Sequence, residues 1–133
     1  MVPYFILLLA HALDKLGDRD AALERLTEAL HIVEGTGEDW CKSELHRFSG
    51  EVMRAKGRDD LAETYYYQAL TTAQYQSAKT WELSAALSLS RLWRDQGKRA
   101  KARDLLAPIY DWFTEGFSTP VLQDSKSLLG SLE

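Results

Sequence analysis

The chain has 133 residues, 45% of them hydrophobic and 27% charged, with a formal net charge of −4. That length suits one domain able to bury a core, and the acidic balance excludes a global basic field for nucleic acid or an anionic membrane surface. A single cysteine, Cys41, excludes an intramolecular disulfide and fits a reducing compartment.

Val2 to Ala10 is a run of nine apolar residues, and Ala10-His11-Ala12 is similar to a signal-peptidase site. No Lys or Arg precedes the run, and it is too short to span a bilayer. The segment also fits, uncut, as a first helix over 3–16. Helices are then expected over 19–35, 38–56, 59–77, 79–96 and 98–115, with Gly35-Thr36-Gly37 breaking the chain between the first two pairs. Pro108 is expected to kink the helix over 98–115. Thr119-Pro120 opens a last helix over 119–131, with Thr capping and Pro in the first turn. No segment shows β-alternation or a hairpin signal.

Gly17, Gly57 and Gly97 are spaced by 40 residues, and an alanine follows each five positions later, at Ala22, Ala62 and Ala102. The same step relates Leu26, Tyr66 and Leu106, then Ala29, Ala69 and Ile109, then Leu30, Leu70 and Tyr110. This is a helix–turn–helix unit used three times. Glycine ends the first helix of each pair, small residues let two helices approach, and large ones fill the space between pairs. The expected fold is all-α: an α-α superhelix of three long helix pairs plus a C-terminal capping helix. It forms a single domain over 1–133, with repeats over about 3–36, 38–77 and 79–116 and a cap over about 119–131.

The pattern resembles the tetratricopeptide repeat, stretched from its usual period of about 34 residues so that each helix gains about a turn. The second repeat matches best, through Gly50, Gly57, Ala62, Tyr66, Ala69 and Leu70; the third departs, with Ser90 at the small position and Pro108 inside its second helix. The strings Glu38-Asp39-Trp40, Ser43-Glu44-Leu45-His46-Arg47, Ala78-Lys79-Thr80-Trp81-Glu82-Leu83 and Leu89-Ser90-Arg91-Leu92-Trp93-Arg94 carry a further resemblance, which continues through Leu105 to Phe117 and its Trp-Phe-Thr-Glu-Gly-Phe segment. From about residue 38 onward the chain is similar to the C-terminal repeat region of large bacterial multidomain proteins. In those, a class III adenylate or guanylate cyclase domain, or a DNA-binding domain, precedes an ATPase module. The resemblance implies a regulatory or assembly tail of signalling machinery. It implies no activity for this chain, which has no phosphate-binding Gly-rich loop.

No catalytic, cofactor-binding or metal site is expected. His11, His31 and His46 share no ligand spacing, and Cys41 near a helix start is better read as a small apolar residue than as a nucleophile. The aromatic residues Trp81, Trp93, Trp112, Tyr65, Tyr66 and Tyr67 read as packing between repeats, because the basic interleaving of a base-stacking platform is missing.

Two surfaces invite function. The first helix of each pair should line the concave face. The repeat register places Tyr4, Leu7, His11, Asp14 and Lys15 there from the first pair, Glu44, Arg47, Glu51 and Arg54 from the second, and Ser84, Leu87, Arg91, Arg94 and Asp95 from the third. The four arginines form a strip able to take an acidic peptide or C-terminal carboxylate, unless Glu44, Glu51 and Asp95 neutralise it. The N-terminal segment is apolar on all sides at Tyr4, Phe5, Ile6, Leu8 and Leu9, which points to a self-association edge and a homodimer. The expected function is therefore a non-catalytic, cytoplasmic scaffold binding a protein or peptide, with no nucleic-acid or membrane partner. The alternative is a sensor domain of a cyclase or ATPase holding a small acidic ligand in the groove.

Overall fold

The computed structural model of the chain describes residues 17–36, 42–116 and 118–132. The expected helix over 3–16, the candidate edge Tyr4, Phe5, Ile6, Leu8 and Leu9, the groove candidates Leu7, His11, Asp14 and Lys15, and Cys41 lie outside those residues. Six helices are described: α1 (Arg19–Thr36), α2 (Lys42–Ala55), α3 (Asp59–Tyr75), α4 (Lys79–Asp95), α5 (Arg99–Asp111) and α6 (Pro120–Leu132), with no strand among the described residues. The fold is all-α, as its sequence periodicity requires.

Consecutive helices pack on one another throughout the series. In addition, α2 packs on α4 and α4 on α6, whereas the backbones of α1, α3 and α5 do not approach one another within 8 Å. The stack is therefore wedge-shaped, with α2, α4 and α6 at the inner radius and α1, α3 and α5 outside. That asymmetry makes the arrangement superhelical.

The turns explain the forty-residue glycine register. Gly57 (φ 80°) and Gly97 (φ 82°) take the left-handed conformation just past α2 and α4. The amide of Arg58 then donates to the Met53 carbonyl at 2.9 Å and that of Gly57 to Arg54 at 3.0 Å; Lys98 and Gly97 do the same to Trp93 and Arg94 at 2.8 and 3.0 Å. This Schellman closure satisfies carbonyls that the helix end would orphan. The α3–α4 turn uses the same closure with Ser77 at φ 55°, and Ala78 N–H donates to Ala73 O at 2.9 Å. A serine pays the steric cost of the left-handed well that a glycine does not, so this turn carries no sequence signal.

The core forms where the outer helices cross the inner ones. The Tyr66 ring of α3 lies against the Gly50 backbone of α2 so closely that a Cβ at position 50 would stand 2.6 Å from Tyr66 Cε1. Tyr66 is fully buried, with Ala62 and Ala69 beside it in sequence register and equally inaccessible. At the equivalent position of α4, Ser90 Oγ donates to the Ala102 carbonyl of α5 at 3.2 Å, so the departure from Gly or Ala is absorbed by a hydrogen bond. Being flanked by α2, α3, α5 and α6, α4 is buried along almost its whole length, from Glu82 to Trp93. Trp93 ties three helices together: its indole N–H donates to Glu63 of α3 at 2.5 Å, and the Lys101 ammonium of α5 sits 4.3 Å above its ring.

Two expectations change. The helix expected to reach residue 115 stops at Asp111, three residues past Pro108, which removes a backbone donor and crowds the preceding turn. Trp112, expected between repeats, lies beyond that helix end, is 58% exposed, and stands over the Lys79 ammonium at 5.3 Å. The expected start of α2 at residue 38 lies outside the described residues.

Ser77→Gly is expected to raise stability by about 0.5–1 kcal/mol, because the turn keeps its geometry and loses its steric cost; a thermal midpoint that stays put or falls would contradict this. Gly50→Ala is expected to cost about 1–3 kcal/mol by overpacking against Tyr66. Tyr66→Phe is expected to be neutral or stabilising, since the buried hydroxyl has no hydrogen-bond partner among the described residues. Urea denaturation of the two variants checks both signs.

Candidate binding face on the inner helices

The inner radius presents one face each of α2, α4 and α6. Along α2 the step of three and four residues brings Glu44, Arg47, Glu51 and Arg54 to that face, all partly buried. Arg47 is held on several sides. Its guanidinium makes a bidentate pair with Glu44, at 3.1 Å from Nε and 2.8 Å from Nη2, reaches Ser88 Oγ of α4 at 3.5 Å, and lies 4.6 Å over the Phe48 ring. Burial disfavours its charge, but the hydrogen bonds and charge of Glu44, with the charge of Glu51, outweigh that and leave its pKa raised. The Tyr66 hydroxyl belongs to the same neighbourhood. Burial first, and then the Glu51 carboxylate, push its pKa upward, so it stays neutral.

Further along, Arg54 pairs with Asp95 of α4, and Arg94 pairs with the same carboxylate at 3.2 Å. Arg91 reaches across to Asp124 of α6 at 3.5 Å. Arg47–Ser88, Arg54–Asp95 and Arg91–Asp124 thus link each inner helix to the next. On these described residues four guanidiniums face four carboxylates, Glu44, Glu51, Asp95 and Asp124, and the strip has no net charge.

The structure brings eight of the nine described candidates to this face and removes one. Leu87 is only 5% exposed and belongs to the core, because α4 has neighbours on nearly every side and its apolar residues are enclosed. Ser84 is partly buried. Asp124 was not foreseen, although the forty-residue step from Glu44 through Ser84 lands on it; assigning α6 as a cap hid that register. Ser88, also unforeseen, is 3% exposed and acts through its contact with Arg47.

Among the described residues the remaining titratable groups form no reactive cluster. Among the described residues no three His, Cys, Asp or Glu side chains are placed to hold a metal ion, and no described helix is long and apolar enough to cross a membrane. His46 is buried in α2 beside Tyr67, at a recess of about 540 Å³ between α2 and α3.

The geometry therefore defines a class: a superhelical helix stack with a polar, partly exposed inner face. The crystal structure of BtubC (BKLC) from P. vanneervenii is similar, with a TM-score of 0.80 and 24% sequence identity over 98% of this chain and 54% of that one. This likeness supports the fold, and the chain spans about half of that protein's length. No family model matches the sequence, and no curated protein matches it.

Proposed function

We propose that the chain is a non-catalytic tetratricopeptide-type interaction module, the regulatory or assembly tail of a cytoplasmic bacterial signalling protein, whose inner face binds a protein or peptide. The observation that carries this reading is the ladder of ion pairs across α2, α4 and α6. Arg91 and Asp124 are 41% and 55% exposed in their side chains, and Arg94 and Asp95 are 37% and 47% exposed. Pairs this exposed contribute under about 1 kcal/mol, so a partner's carboxylate can replace an internal one at little cost. Arginine adds bidentate geometry to such an exchange. A partner segment carrying both acidic and basic side chains suits a neutral strip best, and an acidic residue or C-terminal carboxylate would engage Arg91 and Arg94. A small anion alone offers less, since it must displace a carboxylate without replacing its contacts. We further propose, on sequence alone, that the apolar segment bearing Tyr4, Phe5, Ile6, Leu8 and Leu9 pairs two copies of the chain.

A pull-down comparing the wild type with an Arg47→Ala/Arg91→Ala double variant tests the inner face. Partner recovery is expected to fall sharply for the variant; unchanged recovery would remove this strip from the binding surface. Light scattering over a wide concentration range tests the dimer: a dimer that dissociates on dilution is expected, and a monomer at every concentration would overturn it.

A further inference from the structure

Within the inner strip the charges are equal in number but unevenly paired. Glu44 takes Arg47 through two hydrogen bonds, Asp124 takes Arg91, and Asp95 takes both Arg54 and Arg94. Three carboxylates thus engage all four guanidiniums, and the fourth, Glu51, has no cation within ion-pair distance among the described residues. Glu51 stands between Arg47 and Arg54, four residues after one and three before the other, on one face of α2. Both neighbours are already engaged: Arg47 by Glu44, Ser88 and the Phe48 ring, and Arg54 by Asp95. Next to Glu51 lies the Tyr66 hydroxyl, fully buried and without a hydrogen-bond partner among the described residues. Burial raises the pKa of this phenol, and Glu51 is close enough to raise it further, while Arg54 and Arg47 act the other way. A half-buried carboxylate without a cation and a buried donor without an acceptor therefore meet at one point of the inner face.

We infer that Glu51 is the docking point for a basic side chain on an extended segment of the partner, and that an acidic side chain two residues away on that segment takes Arg54. This specificity rests on the inner face being the surface that binds. An ammonium or guanidinium at Glu51 supplies the missing counter-charge and displaces no described ion pair there. With its charge met from outside, Glu51 can turn one oxygen to the Tyr66 hydroxyl, which donates and gains the acceptor it lacks. Tyr66 is then a positioning residue: it does not reach the partner, and it orients the carboxylate that does. Arg54 is the exchangeable neighbour, because Asp95 keeps Arg94 when Arg54 lets go. The spacing follows from the two backbones. Side chains three apart on a helix lie about 5–6 Å from each other, and those two apart on an extended strand share a side at roughly 7 Å. A basic and an acidic residue separated by one residue thus match Glu51 and Arg54.

The probe is the blocked peptide acetyl-Ala-Lys-Ala-Glu-Ala-amide, titrated into the isotopically labelled full chain. Saturable NMR shifts are expected at the α2 amides around Glu51 and Arg54. Replacing the peptide's lysine by glutamine should weaken it roughly fivefold, the worth of one partly exposed ion pair. Glu51→Gln should lose about the same factor for the lysine peptide and no longer tell the two peptides apart. Tyr66→Phe should keep or raise the melting temperature and still weaken the lysine peptide about twofold or more, a split that a merely structural role would not give. No saturable shifts at millimolar peptide would overturn the site. So would equal binding of both peptides by the wild type, or undiminished binding of the lysine peptide by Glu51→Gln. If the site fails while Arg47→Ala/Arg91→Ala still loses partner recovery, the inner face stands and only Glu51 is removed from it. Unchanged recovery removes the face, and Glu51 with it.

Discussion

The described stack depends on one close approach, made at Gly50 and again forty residues later at Ser90. An outer helix can bury a large side chain against an inner helix only where the inner helix presents a small residue. At Gly50 the approach is closest, with the Tyr66 ring resting on the helix backbone. At Ser90 the slot is shallower, Leu106 stands where Tyr66 does, and a hydroxyl fills the remaining space by bonding to Ala102. Each crossing buries a side chain of this size for about 1.5–3 kcal/mol and fixes the register of its helix pair. The tight turns at Gly57 and Gly97 then have no freedom left, and the same closure is imposed at Ser77 even though a serine does not favour it.

The crossing also decides where polar groups go. It draws the outer helices onto the inner ones, so α4 ends with neighbours on nearly every side. Past its first turn, what remains accessible on α4 is the polar strip of Ser84, Arg91, Arg94 and Asp95. The arginines there are not waiting as bare cations. Arg47 is fastened most firmly, being buried enough that Glu44 and Ser88 must satisfy it, while Arg91 and Arg94 hold exposed partners. One face thus has a rigid end and an exchangeable end, which separates holding the superhelix together from recognising something else.

How much of this the sequence announced depends on whether the determinant is local. The glycine turns, the Ala–Tyr or Ala–Leu spacing and the helix order are local, and they are legible. So are Glu44, Arg47, Glu51 and Arg54, because a helix face is set by the step of three and four. Leu87 is not, because its enclosure comes from α4 being surrounded, a property of the assembled stack. Ser77 is silent for the same reason: its backbone is dictated by packing rather than by its own preference. Trp112 and the early end of α5 were partly legible, since Pro108 marks the helix as failing, though not where. Asp124 and Gly130 were in plain register with Glu44 and Gly50, and were hidden only by treating α6 as different in kind from α2 and α4.

The length of the repeat supplies the last link. Helices of 17 residues, such as α3 and α4, run about 25 Å. Two such helices crossing at the common angle of about 20° diverge by several ångströms ten residues from the contact, so apolar packing alone cannot hold their far ends. Those ends are fastened by hydrogen bonds instead. Ser43 Oγ, at the start of α2, donates to the Ala69 carbonyl of α3 at 2.8 Å, and Gln74, near the end of α3, donates to Glu82 of α4 at 3.3 Å. Beyond those fastenings the helix ends project, and Tyr75 is 89% exposed there. The unit of α2 and α3 is therefore a small-residue crossing at Gly50 and Tyr66, closed by the Gly57 turn, with a polar clasp from Ser43 at the other end; in α4 the buried Leu83 stands at the position of Ser43. By that description α6 carries the small residue of the crossing, Gly130, in register with Gly50 and Ser90.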